Sequence, residues 1–150
     1  MRHAGATLAA AVVTGAAGIA VALLSMYRLA DAPIRGRLAG PDPLGSLASA
    51  LAVLVGVVAF YRLGVRIASD TPRPRASILA GALGGAFAGL AVSIAQSFAL
   101  SDYLSAVLAG YAVPSELLAF VLGAYVALAT IVAAIIAAGI SYAGWSRAQP

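Results

Sequence analysis

The chain has 150 residues, of which 63% are hydrophobic and only 9% are charged, and its mean hydropathy is +1.01. Soluble domains are typically about 45–50% apolar and about 25% charged, so this composition excludes an ordinary soluble fold and indicates an integral membrane protein. The net charge of +4 comes from arginines at the ends of apolar segments, a pattern that favours lipid headgroups over nucleic acid as partners. The chain has no cysteine, which excludes disulfides and thiolate sites.

Four long apolar segments predict four transmembrane helices, because about 20 helical residues cross the hydrocarbon core of a bilayer. The first segment is longer than the apolar region of a signal peptide, which is about 7–15 residues, so we expect it to be retained as a helix. The spans are predicted at about 5–27, 45–66, 76–100 and 115–143. Residues 1–150 are therefore expected to form a single four-helix transmembrane domain of the all-α class.

The connections between the helices are predicted from proline and polar residues. The segment Asp70–Arg75 contains two prolines within six residues and resists helix formation. Residues 101–110 predict a short interfacial helix, with Ser101 or Asp102 as its N-cap and Gly110 at its end.

The arginines also predict the orientation of the chain in the membrane. With four spans, both termini and the second connection share one side, which carries six arginines against three on the other side. Because cytoplasmic segments are enriched in positive charge, both termini are predicted to lie in the cytoplasm of a multi-pass cell-membrane protein. The residues expected to contact headgroups or to set topology in the second connection and its flanks are Arg62, Arg66, Arg73 and Arg75.

An internal duplication is one interpretation of the sequence. Shifting the chain by about 71 positions places Gly18–Val21 on Gly89–Val92 and Pro43 on Pro114. Such matches predict two tandem helical hairpins related as parallel repeats. A chain rich in alanine, glycine and leucine also produces matches by chance, so both interpretations stay open.

A stripe of small residues on the third helix is the clearest candidate for a functional surface. Its members are Ser77, Gly81, Gly85, Gly89, Ser93 and Ser97. Residues four apart share one helix face, and small side chains allow another backbone to approach closely, a main source of helix association in lipid. The stripe therefore predicts packing against a helix of the same chain, a subunit interface, or the wall of a narrow path. Weaker stripes occur on the first helix at Ala10, Thr14, Gly18 and Ala22, and on the fourth at Ala119, Gly123 and Ala127.

Polar groups inside the predicted spans are sparse. Gln96 is the only amide there, and it is predicted to form a hydrogen bond between helices or to bind a polar solute. The acidic residues lie in predicted loops or at helix starts, whereas proton relays and ion-coupled carriers hold theirs within the spans. We therefore expect no catalytic residue, no cofactor, no metal site and no enzymatic activity.

One family resemblance arises from two short segments. Ala86–Leu90 followed by Ile94–Gln96 resembles the glycine-rich odd-numbered helix of rotary-ATPase proteolipid subunits, and Pro41–Asp42 followed by Gly45 is similar to the polar-loop end of that family's hairpin. The resemblance implies a membrane ring of subunits that carries ions past a stator. That activity needs a carboxylate in the middle of the last helix, and residues 120–134 have none. The resemblance is therefore one of architecture.

The sequence thus predicts a noncatalytic structural or accessory subunit of a membrane assembly, which acts through glycine-rich helix packing. Its expected partners are the lipid bilayer and either copies of itself or other membrane subunits. The alternatives are a small oligomeric transporter or pore, and a hydrophobic building block of a pilus or virion.

Overall fold

A computed structural model describes residues 3–30, 43–110 and 114–149, and every regular element in these ranges is an α-helix. The helices are α1 (Ala4–Ala30), α2 (Pro43–Asp70), α3 (Pro74–Gly110) and α4 (Ser115–Arg147). Each contains a segment long and apolar enough to cross a membrane: Ala4–Met26, Leu44–Asp70, Pro74–Ala99 and Glu116–Arg147. This confirms the prediction of an all-α chain with four helices suited to span a membrane.

Residues 101–110 differ from the prediction. They are helical, but they continue α3 without a break, so the structure does not show a separate interfacial helix. The hydroxyl of Ser101 explains the difference, because it donates a hydrogen bond to the carbonyl oxygen of Phe98 at 2.9 Å, within the preceding turn of α3. An N-cap would instead accept a bond from a later backbone N–H. Gly110, the predicted end of this segment, is the last residue of α3.

The four helices form a bundle in which α3 and α4 make the most extensive contact. Helix α2 packs on α4, and α1 packs on both α2 and α3, so the order around the bundle is α1, α2, α4, α3. The described core is small, with Phe60, Leu63 and Ile67 of α2 packed against Ala10 and Ala137. Large aliphatic side chains mostly point outward, as expected when the surrounding solvent is lipid.

One end of the bundle gathers both ends of the described chain. The Nδ1 atom of His3 lies 3.8 Å from Oδ2 of Asp70, at the end of α2. At the same end, the indole Nε1 of Trp145 donates a hydrogen bond to the carbonyl oxygen of Thr71 at 3.1 Å. The start of α1, the α2–α3 connection and the end of α4 therefore lie together.

Candidate helix-packing site

The glycines of the α3 stripe (Ser77, Gly81, Gly85, Gly89, Ser93 and Ser97) lie against α4. A methyl group built on Gly85 would lie 2.5 Å from the Cβ of Ala137 and 2.6 Å from the carbonyl oxygen of Ala133. The corresponding distances are 2.6 Å from Gly81 to the carbonyl oxygen of Ala137 and 2.5 Å from Gly89 to the Cβ of Ala133. These separations are shorter than side-chain carbons tolerate, so only glycine permits this approach of α4. The three glycines are therefore engaged in a contact within the chain.

Two serines connect the same helices by hydrogen bonds at the end of the stripe. Ser77 Oγ donates to the carbonyl oxygen of Ser141 at 2.9 Å, and the two hydroxyl oxygens lie 2.8 Å apart. Ser77 has only one hydroxyl proton, so Ser141 donates its own to Ser77 Oγ. Both side chains are fully buried. The pair therefore satisfies polar groups that would be costly to bury alone.

The remaining members of the α3 stripe form bonds within their own helix. Ser93 Oγ donates to the carbonyl oxygen of Leu90 at 3.1 Å, and Ser97 Oγ donates to that of Ser93 at 2.8 Å. Such bonds are the usual way in which a serine inside a helix satisfies its hydroxyl. The stripe thus divides into a section that contacts α4 directly and a section whose hydroxyls stay within α3.

A second glycine contact joins α2 to α4, and the sequence analysis missed it. A methyl group on Gly64 would overlap the carbonyl oxygen of Ser141, and one on Gly144 would overlap that of Tyr61. Each helix thus presents a glycine to the backbone of the other. The sequence does contain an indication of this contact. A glycine within a helix lowers helix stability by about 1 kcal/mol relative to alanine, so a glycine at such a position suggests close packing against another helix. Neither glycine belongs to a four-residue repeat, so neither stands out among the 16 glycines of the chain.

Ser141 is the point where three helices meet. Gly64 of α2 lies against its carbonyl group, Ser77 of α3 bonds to the same carbonyl oxygen, and a methyl group on Gly81 of α3 would lie 2.8 Å from its Cβ. The side chain of Ser141 is fully buried. This residue, which the sequence analysis did not single out, is therefore the centre of the packing site.

Gln96 lies further along α3 and contacts α4. The hydroxyl of Tyr125 donates a hydrogen bond to the side-chain oxygen of Gln96. The bond joins α3 to α4 beyond the glycines of the stripe. It corresponds to the first of the two roles predicted for Gln96, a polar contact between helices.

A cavity of about 350 Å³ lies between the four helices. Along α2 its wall extends from Ser49 to Phe60, a rise of about 16 Å at 1.5 Å per residue. Gly85 and Gln96 of α3 line it, together with Thr14 of α1, whose Oγ1 is buried and makes no hydrogen bond to any described residue. The cavity wall is otherwise almost entirely apolar.

The four predicted headgroup arginines are all exposed. Arg62 and Arg66 lie on α2, Arg73 lies in the connection after it, and Arg75 lies in the first turn of α3. In the described part of the chain, no acidic side chain lies within 4.0 Å of any of these guanidinium groups; the ion pair found there joins His3 to Asp70. The four arginines are thus available to groups outside the chain.

The titratable residues do not converge on one point. Within the ranges 3–30, 43–110 and 114–149, no three histidine, aspartate or glutamate side chains are grouped closely enough to hold a metal ion. Comparison of the chain with protein families, with curated proteins and with solved structures finds no match.

Proposed function

We propose that this chain is a noncatalytic multi-pass membrane protein that serves as a structural or accessory subunit of a membrane assembly. The support comes from the small residues that the fold leaves free. The α4 stripe, formed by Ala119, Gly123 and Ala127, is exposed along the first part of α4. No atom of residues 3–30, 43–110 or 114–149 lies within 4 Å of a methyl group built on Gly123. In contrast to the glycines of the α3 stripe, this glycine has no contact with a described residue that explains it.

An exposed stripe of this kind suits a helix from another subunit. Helices in lipid associate through close van der Waals packing, for which small residues provide the space. An exposed glycine also lowers helix stability by about 1 kcal/mol relative to alanine, and no contact in the described chain offsets this cost. Phe120 and Leu128 are exposed beside the α4 stripe and would flank a helix seated on it. The α4 stripe is therefore the surface on which we expect a partner helix to pack.

The Gly123→Leu variant tests this function. Its side chain would fill the space left for a partner helix, so we expect loss of the native complex while the monomer stays folded. The measurement is native mass spectrometry on protein extracted gently from its own membrane. A complex with other subunits identifies an accessory role, and a homo-oligomer identifies self-assembly through the same face.

Gly139→Leu is the matched control. Gly139 is also exposed without a contact in the described chain. It differs from Gly123 because Ile135, a large residue, lies four positions before it, so Gly139 is not part of a stripe of small residues. It also lies about 160° around α4 from Gly123 at 100° per residue. This variant is expected to retain the complex. If Gly123→Leu retains it as well, the α4 stripe is not the interface.

We further propose that both termini face the cytoplasm. The arginine distribution supports this, and the start of α1 and the end of α4 lie at the same end of the bundle. Single cysteines are informative because the chain has none, and Ser69 and Ser105 are both exposed. A membrane-impermeant maleimide added outside cells is expected to label Ser105→Cys and to leave Ser69→Cys unlabelled. The reverse pattern would place the termini outside.

A second candidate function, a small oligomeric transporter or pore, has one observation in its favour. Gly85, Gly89 and Gln96 line the cavity between the helices, as a solute path along the α3 stripe requires. The cavity wall ends at Phe60, however, and beyond it α2 and α4 are in backbone contact at Gly64. The structural role is therefore better supported. Solute flux into liposomes that contain the purified protein, abolished by Gln96→Leu, would instead favour transport.

A further inference from the structure

Arg62 and Arg66 lie four residues apart on one exposed face of α2, and residues at this spacing are neighbours on a helix surface. They line a shallow groove along the outside of the helix. The other residues of the groove are Val57, Val58, Tyr61, Val65 and Ser69. The hydroxyl of Ser69 bonds to the carbonyl oxygen of Arg66 at 2.7 Å, within α2. The groove thus offers two guanidinium groups beside an apolar surface of valines.

The position of this groove along α2 corresponds to the edge of the hydrocarbon. A core about 30 Å thick takes about 20 helical residues, and counted from Leu44 these end close to Arg62. Arg66 is one turn further out, about 6 Å along the axis. On α4, the rings of Tyr142 and Trp145 are stacked with centroids 6.0 Å apart. These rings lie at the same level of the bundle as Tyr61, because the carbonyl of Tyr61 contacts Gly144, their neighbour on α4. Tyrosine and tryptophan are enriched at the depth of the lipid headgroups.

The charges around the groove favour an anion. In the described part of the chain, neither guanidinium has an acidic partner within 4.0 Å. Asp70 follows Arg66 by four residues on α2, but its carboxylate lies 3.8 Å from His3. The charged residue in the last turn of α4 is another arginine, Arg147. Arginine binds phosphate oxygens through two parallel N–H bonds, and two arginines one turn apart double this capacity. Val57 and Val58 precede Arg62 and lie toward the membrane centre, where an acyl chain would run.

We propose that Arg62 and Arg66 form a binding site for the phosphate headgroup of an anionic phospholipid, whose acyl chain packs along Val57 and Val58. Arg73 and Arg75 are exposed at the same end but lie outside this groove. The site therefore depends on the positions of two arginines and not on the total charge of this end. It is separate from the α4 stripe and does not depend on the subunit function.

The test compares two double variants that remove equal charge. The purified protein is equilibrated in mixed micelles of phosphatidylglycerol and phosphatidylcholine, and retained lipids are counted by native mass spectrometry. We expect the wild type to retain phosphatidylglycerol in preference to phosphatidylcholine. Arg62→Gln with Arg66→Gln is expected to lower this preference by about thirtyfold, because the charge-assisted hydrogen bonds from both guanidinium groups to the phosphate are lost. Arg73→Gln with Arg75→Gln is expected to change it by less than about threefold.

Two further results decide the question. Equal losses in both double variants, or a wild-type preference in the Arg62 and Arg66 variant, would overturn the proposal. Replacing Arg62 and Arg66 by lysine preserves charge and removes the paired N–H geometry. The lysine variant is expected to prefer phosphatidylglycerol less than the wild type does and more than the glutamine variant does. It also keeps the proposal testable if the glutamine variant does not fold. A lysine variant that shows no preference while its helicity is unchanged would contradict a charge-based site.

Discussion

The Gly64→Ala variant is expected to lower the free energy of unfolding of the bundle by roughly 3 kcal/mol, the upper part of the range for overpacked cores. The added methyl group would overlap the carbonyl oxygen of Ser141. A backbone carbonyl within a helix cannot rotate away, so α2 and α4 must separate. Loss of this contact also disturbs the bond from Ser77 to the same oxygen. Unfolding with sodium dodecyl sulfate in mixed micelles, followed by circular dichroism, measures the change.

The Gly139→Ala variant is the control for this substitution and is expected to act in the opposite direction. No described residue lies within 4 Å of a methyl group built on Gly139. The higher helix propensity of alanine should then stabilise the protein by up to about 1 kcal/mol. If Gly64→Ala also stabilises it, then α2 and α4 do not touch at Gly64.

The Gly85→Leu variant is expected to prevent α3 and α4 from packing and to abolish the compact monomer. Even the first side-chain carbon would lie 2.6 Å from the carbonyl oxygen of Ala133, and a leucine adds three more. The expected loss is at least about 3 kcal/mol, because the neighbouring backbone cannot yield as a side chain would. Near-ultraviolet circular dichroism and the elution volume in detergent report whether the helices still pack.

The same variant distinguishes two of the three uses predicted for the α3 stripe, packing within the chain and a subunit interface. If the α3 stripe packs within the chain, the Gly85→Leu monomer should fail to fold, whereas the Gly123→Leu monomer should fold normally. A Gly85→Leu protein that folds as a monomer but loses its oligomer would show that the stripe faces another subunit. Gly123 is the suitable reference because its surroundings are open.

Composition and hydropathy were sufficient to predict the number and type of helices, because apolar segments of this length have one stable form in lipid. The ends of the helices were less predictable. α2 extends to Asp70, past the predicted end at 66, because Arg62 and Arg66 sit on an exposed face and do not interrupt the backbone bonds. Residues 101–110 carry residues typical of a helix start, yet Ser101 bonds backward into α3. A cap and a continuing helix use the same residue types, and the sequence alone cannot separate them.

The packing site was predictable in part. Four-residue spacing identifies which residues share a face of α3, but it does not identify the backbone opposite, and Ala133 and Ala137 of α4 look ordinary in the sequence. Gly64 and Gly144 form a contact through two isolated positions on different helices, which no periodicity within one helix can indicate. Ser141 becomes central only because three helices cross there.

The meeting of three helices at Ser141 has a consequence for biosynthesis. Both α2 and α3 contact the residue that α4 supplies, and α4 is the last of the four helices to leave the ribosome. Until then Gly64, Gly81 and Ser77 lack the α4 contacts that they make in the bundle. The final arrangement of the first three helices is therefore completed after translation of the last one, and insertion and packing are separate stages for this chain. A partner helix present during that interval would compete with α4 for the same glycine faces.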